Sequence, residues 1–260
     1  MKKYLRSVFS ISMALVALAA SPSPTYATHA WSTYHWARTA NPFTLKLGDL
    51  TSGTWTGLLT TASADWSLST VLDTTMVTAT GRARTCRAVD GRVVVCNWNY
   101  GRTGYLGIAQ IWLDNTGHIY KGIVKNNDYY FSTSYPQYNN ESNKLHTMCQ
   151  EVGHTFGLDH QSTDGTSLDT CMDYYTNTSN ADTVSTYPNQ HDYDQLETIY
   201  THLDATSSAT NSVPQAGITN DPSQWGRLKL VRRSGQGVSS TYERDLGAGQ
   251  KVVTLVIWAR

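Results

Sequence analysis

The amino-acid sequence predicts a mixed α+β fold, with one main domain followed by a small β-rich tail. Apolar residues alternate with polar ones, or form short blocks, at several places between residues 43 and 124, which predicts strands. Apolar residues at helical spacing between residues 145 and 156 predict a central helix. Strand-like runs return after residue 222, so we expect the tail to be β-structured as well.

The first 27 residues have the layout of a secretory signal peptide. A basic start is followed by an apolar run at residues 8 to 20 and by small residues up to Ala27, after which we expect cleavage. The apolar run is too short to span a bilayer, although a membrane anchor is the alternative interpretation. We therefore expect a secreted, extracellular protein with no membrane contact after signal cleavage.

Charge and composition narrow the possible partners. The full chain has 20 basic and 20 acidic residues, so its charge gives no indication of nucleic-acid binding. Its 16 tyrosines, 8 tryptophans and low charged fraction of 15% are typical of a soluble extracellular protein. We expect a monomer without a nucleic-acid partner.

The chain before the central helix is predicted to form strands around one helix. A first strand at residues 43 to 47 is followed by a helix at about residues 55 to 68 and a strand at residues 71 to 79. Cys86 and Cys96 flank Val-Asp-Gly-Arg, which is typical of a hairpin turn, so residues 84 to 98 should supply two more strands.

A second hairpin is predicted next. Residues 105 to 113 and 119 to 124 should pair through the turn Asp-Asn-Thr-Gly, where Gly117 can adopt the positive φ angle. The same turn could instead bind Ca²⁺, but it lacks the spaced carboxylates of a dedicated calcium loop.

Two helices follow. The central helix should begin near Asn140 or Ser142, either of which can cap it, and end at Gly157. A last helix should follow Pro188 with Asn189 as its cap. The predicted organisation is a signal peptide at 1–27, a main domain at 28–204, a linker at 205–222 and a β-rich appendage at 223–260.

Residues 149 to 160, Cys-Gln-Glu-Val-Gly-His-Thr-Phe-Gly-Leu-Asp-His, have the spacing of a zinc-binding helix with one exception. In such a helix, His-Glu-x-x-His places two ligands on one face, beside a glutamate that acts as general base. Glu151 and His154 match this pattern, Gly157 can end the helix, and His160 can fold back to the same metal ion. The first ligand position, however, is occupied by Gln150.

Downstream residues extend the pattern. Met172 follows His160 by twelve positions, and Tyr174 comes two residues later. Together with the helix motif, this resembles the zinc-binding helix and methionine turn of the metzincin metallopeptidases. The short gap before Met172 is most similar to the matrixin branch, whereas Met-x-Tyr is similar to the astacin and serralysin branches. The resemblance covers residues 40 to 204.

The resemblance implies both a fold and a function. The implied fold is a twisted, mostly parallel five-stranded sheet with one antiparallel edge strand, an active-site helix below a cleft, and a closing C-terminal helix. The implied function is a secreted zinc-dependent endopeptidase that binds an extended peptide or protein substrate along the edge strand at residues 105 to 113.

Site roles are implied position by position. Glu151 matches the general base, His154 and His160 match Zn²⁺ ligands, and Met172 matches the methionine beneath the metal. Tyr174 matches a tyrosine that in some branches contacts the metal or the transition state.

Whether the resemblance extends to metal binding and catalysis depends on Gln150. Its side-chain oxygen has the reach of a ligand, although an amide oxygen binds zinc more weakly than an imidazole does. His146 cannot replace it, because it lies about 12 Å from His154 along the helix axis. The alternatives are a catalytically inactive binding module with the same cleft, or structural roles for His154 and His160.

The other cysteines and histidines are predicted to be structural. The four cysteines of an exported chain should form two disulfides, for which three pairings are possible. Position favours Cys86 with Cys96, and Cys149 with Cys171 beside the metal motif; free thiols are the less expected alternative. The remaining histidines have no ligand spacing and are expected to be ordinary: His29, His35, His118, His191 and His202.

Overall fold

The computed structural model describes residues 29–209, 221–234 and 237–259. The expected signal peptide at 1–27 and most of the expected linker at 205–222 lie outside these residues. Within the described ranges, no helix is both long enough and apolar enough to cross a membrane.

The described residues form nine strands and three α-helices. In chain order they are β1 (His35–Trp36), β2 (Phe43–Leu50), α1 (Thr54–Trp66), β3 (Leu72–Thr78), β4 (Arg92–Trp98), β5 (Tyr105–Leu113), β6 (His118–Asn127), α2 (Glu141–His154), α3 (Gln190–Ile199), β7 (Arg227–Arg233), β8 (Val238–Gly247) and β9 (Gln250–Trp258).

All described strands join one mixed sheet, so the molecule is α+β, as expected. The strand order is β3-β2-β4-β6-β5-β9-β8-β7, with β1 paired to the start of β6. The pairs among β1, β2, β3, β4 and β6 are parallel, whereas β5 and β7–β9 run antiparallel to their neighbours. The predicted hairpin between β5 and β6 is confirmed, and Gly117 has the expected positive φ angle.

The predicted hairpin across residues 84 to 98 is wrong. Only β4 forms there, and it pairs in parallel with β2 on one side and with β6 on the other. Because both edges of β4 are already paired, residues 84 to 91 cannot pair with it and form turns and irregular chain instead.

The prediction of β5 as a free edge strand is also wrong. Its outer edge pairs in antiparallel fashion with β9, from Tyr105 opposite Trp258 to Leu113 opposite Lys251. The C-terminal strands form the β structure expected after residue 222, but they continue the main sheet instead of standing apart from it. The apolar run in β9 accounts for this, since Val252, Val253, Leu255 and Val256 are all buried.

Helices α1 and α2 pack against each other, and buried tryptophans tie α2 in place. Trp66 at the end of α1 donates its indole N–H to the Cys149 carbonyl over 3.1 Å. Trp36 in β1 donates to the Thr155 carbonyl, just beyond α2, over 2.9 Å. Most of α2 is therefore inside the protein, including the polar residues of the predicted metal motif.

Both expected disulfides are present. Cys86 is bonded to Cys96, and Cys149 is bonded to Cys171. The second bond joins α2 to the segment that contains Met172, which holds the two parts of the predicted site together.

Candidate metal centre

Helix α2 ends at His154, three residues before the predicted stop at Gly157. Asn140 caps its first turn, with the side chain accepting a hydrogen bond from the Asn143 backbone N–H over 2.8 Å. Beyond His154 the chain turns at Gly157, which has a φ angle of +102°, a conformation that favours glycine. A Cβ at Gly157 would lie 2.2 Å from the Tyr34 carbonyl oxygen, so there is also no room for one. This tight turn returns the chain so that His160 meets His154.

The two histidines face each other through the same ring nitrogen. The Nε2 atoms of His154 and His160 lie 3.2 Å apart. Two nitrogen ligands bonded at about 2.0–2.1 Å in tetrahedral geometry would be about 3.3–3.4 Å apart. The observed separation therefore fits two ligands of one zinc ion.

The opposite ring nitrogens assign the tautomers. His154 Nδ1 lies 2.9 Å from the Leu158 carbonyl, which can only accept, so Nδ1 carries the hydrogen. His160 Nδ1 lies 3.3 Å from the Asp159 carboxylate, which likewise accepts. In the neutral state both Nε2 atoms therefore present lone pairs to each other, as metal-binding histidines do.

Burial keeps both imidazoles neutral. Burial lowers the pKa of His154 to about 3, with the neighbouring His160 adding to the effect. Burial also lowers the pKa of His160, against the opposing effect of Asp159. The two facing Nε2 lone pairs repel each other, and a cation between them would relieve this repulsion. The two neutral histidines are therefore suitable ligands for a metal ion.

Glu151 is a fully buried carboxylate in the same helix. It is 0% exposed, and within the described residues neither carboxylate oxygen has a hydrogen-bond partner. Burial raises its pKa well above the ordinary value. A Cβ at Gly107 in β5 would lie 2.4 Å from Glu151 Oε1, so this carboxylate lies directly against the β5 backbone.

Gln150 connects α2 to the methionine turn. Its Nε2 donates to the carbonyls of Cys171 and Asp173, each over 2.7 Å. These two acceptors assign the amide orientation and leave Oε1 as the side-chain atom that could bind a metal. A histidine in this position could not donate both bonds from one ring nitrogen.

Met172 and Tyr174 both lie next to residues of the predicted metal motif. Met172 is fully buried against α2, with Sδ 2.7 Å from the position of a Cβ on Gly153. The Tyr174 ring packs on the His160 ring at a centroid distance of 4.2 Å. His146, in contrast, is hydrogen-bonded through Nδ1 to the Ser185 carbonyl, and no described contact joins it to His154.

Two residues beside the candidate metal ligands were missed in the sequence. Asp159 accepts from the His160 ring and, over 2.6 Å, from Arg232 of β7. Burial alone would raise the pKa of Asp159, but its bonds to His160 and Arg232 lower it below the usual range. Asp159 precedes a predicted ligand and could have been identified by position, whereas Arg232 is distant in sequence and gave no signal.

Comparison with known proteins adds no assignment. No protein-family model matches the chain, and no curated protein matches its sequence.

Proposed function

We propose that the protein is a secreted zinc-dependent endopeptidase of metzincin type. The observation that carries the proposal is the facing pair of Nε2 atoms on His154 and His160, with the unpartnered Glu151 carboxylate in the same helix. The two disulfides are compatible with an extracellular protein.

The residues that would hold zinc are His154, His160 and Gln150 through Oε1. When bound, zinc would polarise a peptide carbonyl and lower the pKa of water. Two neutral histidines and a neutral amide would leave the full charge of the ion in place, so replacing a histidine by glutamine does not remove this effect.

Glu151 is the proposed general base. As a carboxylate beside the bound ion, Glu151 would take a proton from water and then give it to the leaving amine. Tyr174, whose ring packs on the His160 ring, is the proposed hydrogen-bond donor to a developing oxyanion.

The proposed substrate is an extended peptide that pairs with β5 in place of β9. The Glu151 carboxylate touches the β5 backbone at Gly107, opposite Ile257 of β9. The lining of one cavity includes Gln150 and Tyr174 together with Ile257 and Trp258 of β9. The C-terminal strands therefore cover the proposed site, and substrate binding would require β9 to leave the sheet edge.

A binding module without catalysis is the second candidate, because Gln150 already has a structural role in its two donated hydrogen bonds. A peptide-cleavage assay on protein whose C-terminal strands have been released distinguishes the enzyme from the binding module. Hydrolysis that is lost in Glu151→Gln supports the enzyme, whereas peptide binding without cleavage supports the module.

A further inference from the structure

A second group of ligand-type side chains lies away from Glu151. It consists of three histidines and one aspartate from three parts of the chain. His35 is in β1, His118 is the first residue of β6, and His202 and Asp204 follow α3. Their separation in sequence explains why no ligand spacing was visible.

The backbone brings these residues together. His35 and His118 are register partners in the parallel pairing of β1 with β6. The segment after α3 is held beside β1, because the Asp204 N–H donates to the Arg38 carbonyl over 2.8 Å. The cluster therefore sits where the chain leaving α3 crosses the first strand.

The side-chain nitrogens converge on one carboxylate. Nε2 of His118 lies 3.2 Å from Asp204 Oδ1, and Nε2 of His202 lies 3.5 Å from the same oxygen. Nε2 of His35 lies 3.5 Å from Asp204 Oδ2. One ligand atom from each of His35, His202 and Asp204 lies within 4.8 Å of the other two. Tetrahedral zinc with bonds of about 2.0–2.2 Å would draw these atoms to about 3.3–3.5 Å apart.

Hydrogen bonds behind two of the rings assign their tautomers. His35 Nδ1 lies 2.7 Å from the Thr33 carbonyl, so it carries the hydrogen and leaves a lone pair on Nε2. Thr116 gives its hydroxyl hydrogen to Asp114, so His118 Nδ1 at 2.8 Å must donate to the Thr116 oxygen. The neutral His118 therefore presents a second Nε2 lone pair to Asp204.

In this arrangement, ring nitrogens that carry lone pairs face carboxylate oxygens, so hydrogen-bond acceptors face each other without a donor between them. The buried Nε2 of His35 makes no hydrogen bond, although it is surrounded by described residues. Oδ2 of Asp204 already accepts from the Arg38 guanidinium over 2.9 Å, which leaves Oδ1 facing His118 and His202. Either a proton on an imidazole or a metal ion must lie between these groups.

We propose that His35, His118, His202 and Asp204 bind a second, structural zinc ion. His35, His202 and Asp204 lie mutually close, and His118, beside Asp204, would complete a four-coordinate set of three imidazoles and one carboxylate. Ca²⁺ and Mg²⁺ require mostly oxygen ligands. Hydrogen bonds behind His35 and His118 orient the rings, which is the usual support for histidine ligands. The ion would fasten the chain after α3 to β1 and β6.

The test is zinc content per chain, measured by mass spectrometry on the full-length secreted protein purified without chelators. The probe variant is His202→Ala, because this side chain is 58% exposed and its loss should spare the fold. The matched control is Thr201→Ala, which removes an exposed side chain next to His202 that belongs to neither group of potential metal ligands among the described residues. The expected result is one zinc ion fewer in His202→Ala and no change in the control.

A stability measurement gives a second readout. In the His154→Ala background, EDTA should lower the Tm, and adding His202→Ala should abolish that shift. Equal zinc content in the wild type and His202→Ala, with an unchanged EDTA shift, would overturn the inference in favour of a protonated histidine cluster. Zinc that is lost in His202→Ala but kept in His154→Ala would support this site while contradicting the proposed catalytic one.

Discussion

The Nε2 atoms of His154 and His160 face each other at 3.2 Å, and each ring is oriented from behind by a hydrogen bond through Nδ1. The Gly157 turn creates this relationship by reversing the chain directly after α2. Together with the neighbouring Glu151, it is the geometric basis for the proposed zinc site and for the predictions about that site.

Gln150→His tests whether residue 150 contacts the metal. If Gln150 is a ligand, an imidazole should bind zinc roughly ten-fold or more tightly, because nitrogen is the better zinc ligand. The same change should reduce stability by about 1 kcal/mol, since at least one of the two bonds to Cys171 and Asp173 is lost. Chelator competition and denaturant unfolding measure the two effects.

The control is Gln190→His, an exposed glutamine in α3, which should change neither quantity. An unchanged zinc affinity in Gln150→His would show that residue 150 acts only as a tie between α2 and the methionine turn.

Glu151→Gln tests the general base. Loss of general base catalysis should reduce peptide hydrolysis about 10²- to 10⁴-fold, while zinc content stays the same. Glu141→Gln, at the exposed start of the same helix, should leave hydrolysis unchanged. Full activity of Glu151→Gln in a peptide cleavage assay would remove Glu151 from the mechanism.

Release of the C-terminal strands should increase activity. A protease recognition sequence inserted at residues 210 to 220 allows the folded protein to be cut before β7, and a chain ending at Ala209 gives an independent route. Because β9 pairs with β5 beside Glu151, separated protein should cleave an extended peptide faster than intact protein does. Identical rates, with β7–β9 shown to have dissociated, would argue against substrate binding at β5.

The two disulfides should affect stability alike but zinc binding differently. Replacing either cysteine pair with alanine should cost about 3 kcal/mol, given the sequence separations of 10 and 22 residues. Only loss of Cys149–Cys171 should weaken zinc binding, because that bond joins α2 to the methionine turn. Equal zinc affinity in both variants, measured by chelator competition, would contradict a supporting role for this disulfide.

Lys125 in β6 should make stability depend on alkaline pH. Burial lowers its pKa to about 8, so between about pH 8 and 10.5 the unfolded chain binds more protons than the folded protein. Stability should therefore rise with pH across this window, and Lys125→Met should stabilise the protein at pH 7 by on the order of 3 kcal/mol. Denaturant unfolding at several pH values measures this, with the exposed Lys46→Met as control.

Local signals predicted much of the fold. The caps at Asn140 and Asn189 and the turns at Gly117 and Gly157 all depend on residues close in sequence, and all are present, although α2 ends at His154, before Gly157. The predicted hairpin at residues 84 to 98 is wrong, because β4 pairs with β2 and β6. Both partners are distant in sequence, so the turn-forming residues next to β4 could not indicate them.

Long-range contacts account for the rest of what was missed. The spacing of Glu151, His154 and His160 predicted the metal motif, since a helix and its end determine where these residues lie. Arg232 reaches Asp159 from β7, and Asp204 meets its histidines only through the pairing of β1 with β6. Neither the hydrophobic periodicity nor the residue spacing of the sequence indicates such long-range contacts.

The central claim is that His154 and His160 hold a zinc ion, and zinc content tests it most directly. The full-length protein and its His154→Ala variant should be purified without chelators, checked for folding by circular dichroism, and measured by mass spectrometry. The account predicts one zinc ion fewer per chain in His154→Ala. Equal zinc content in the two folded proteins would contradict it.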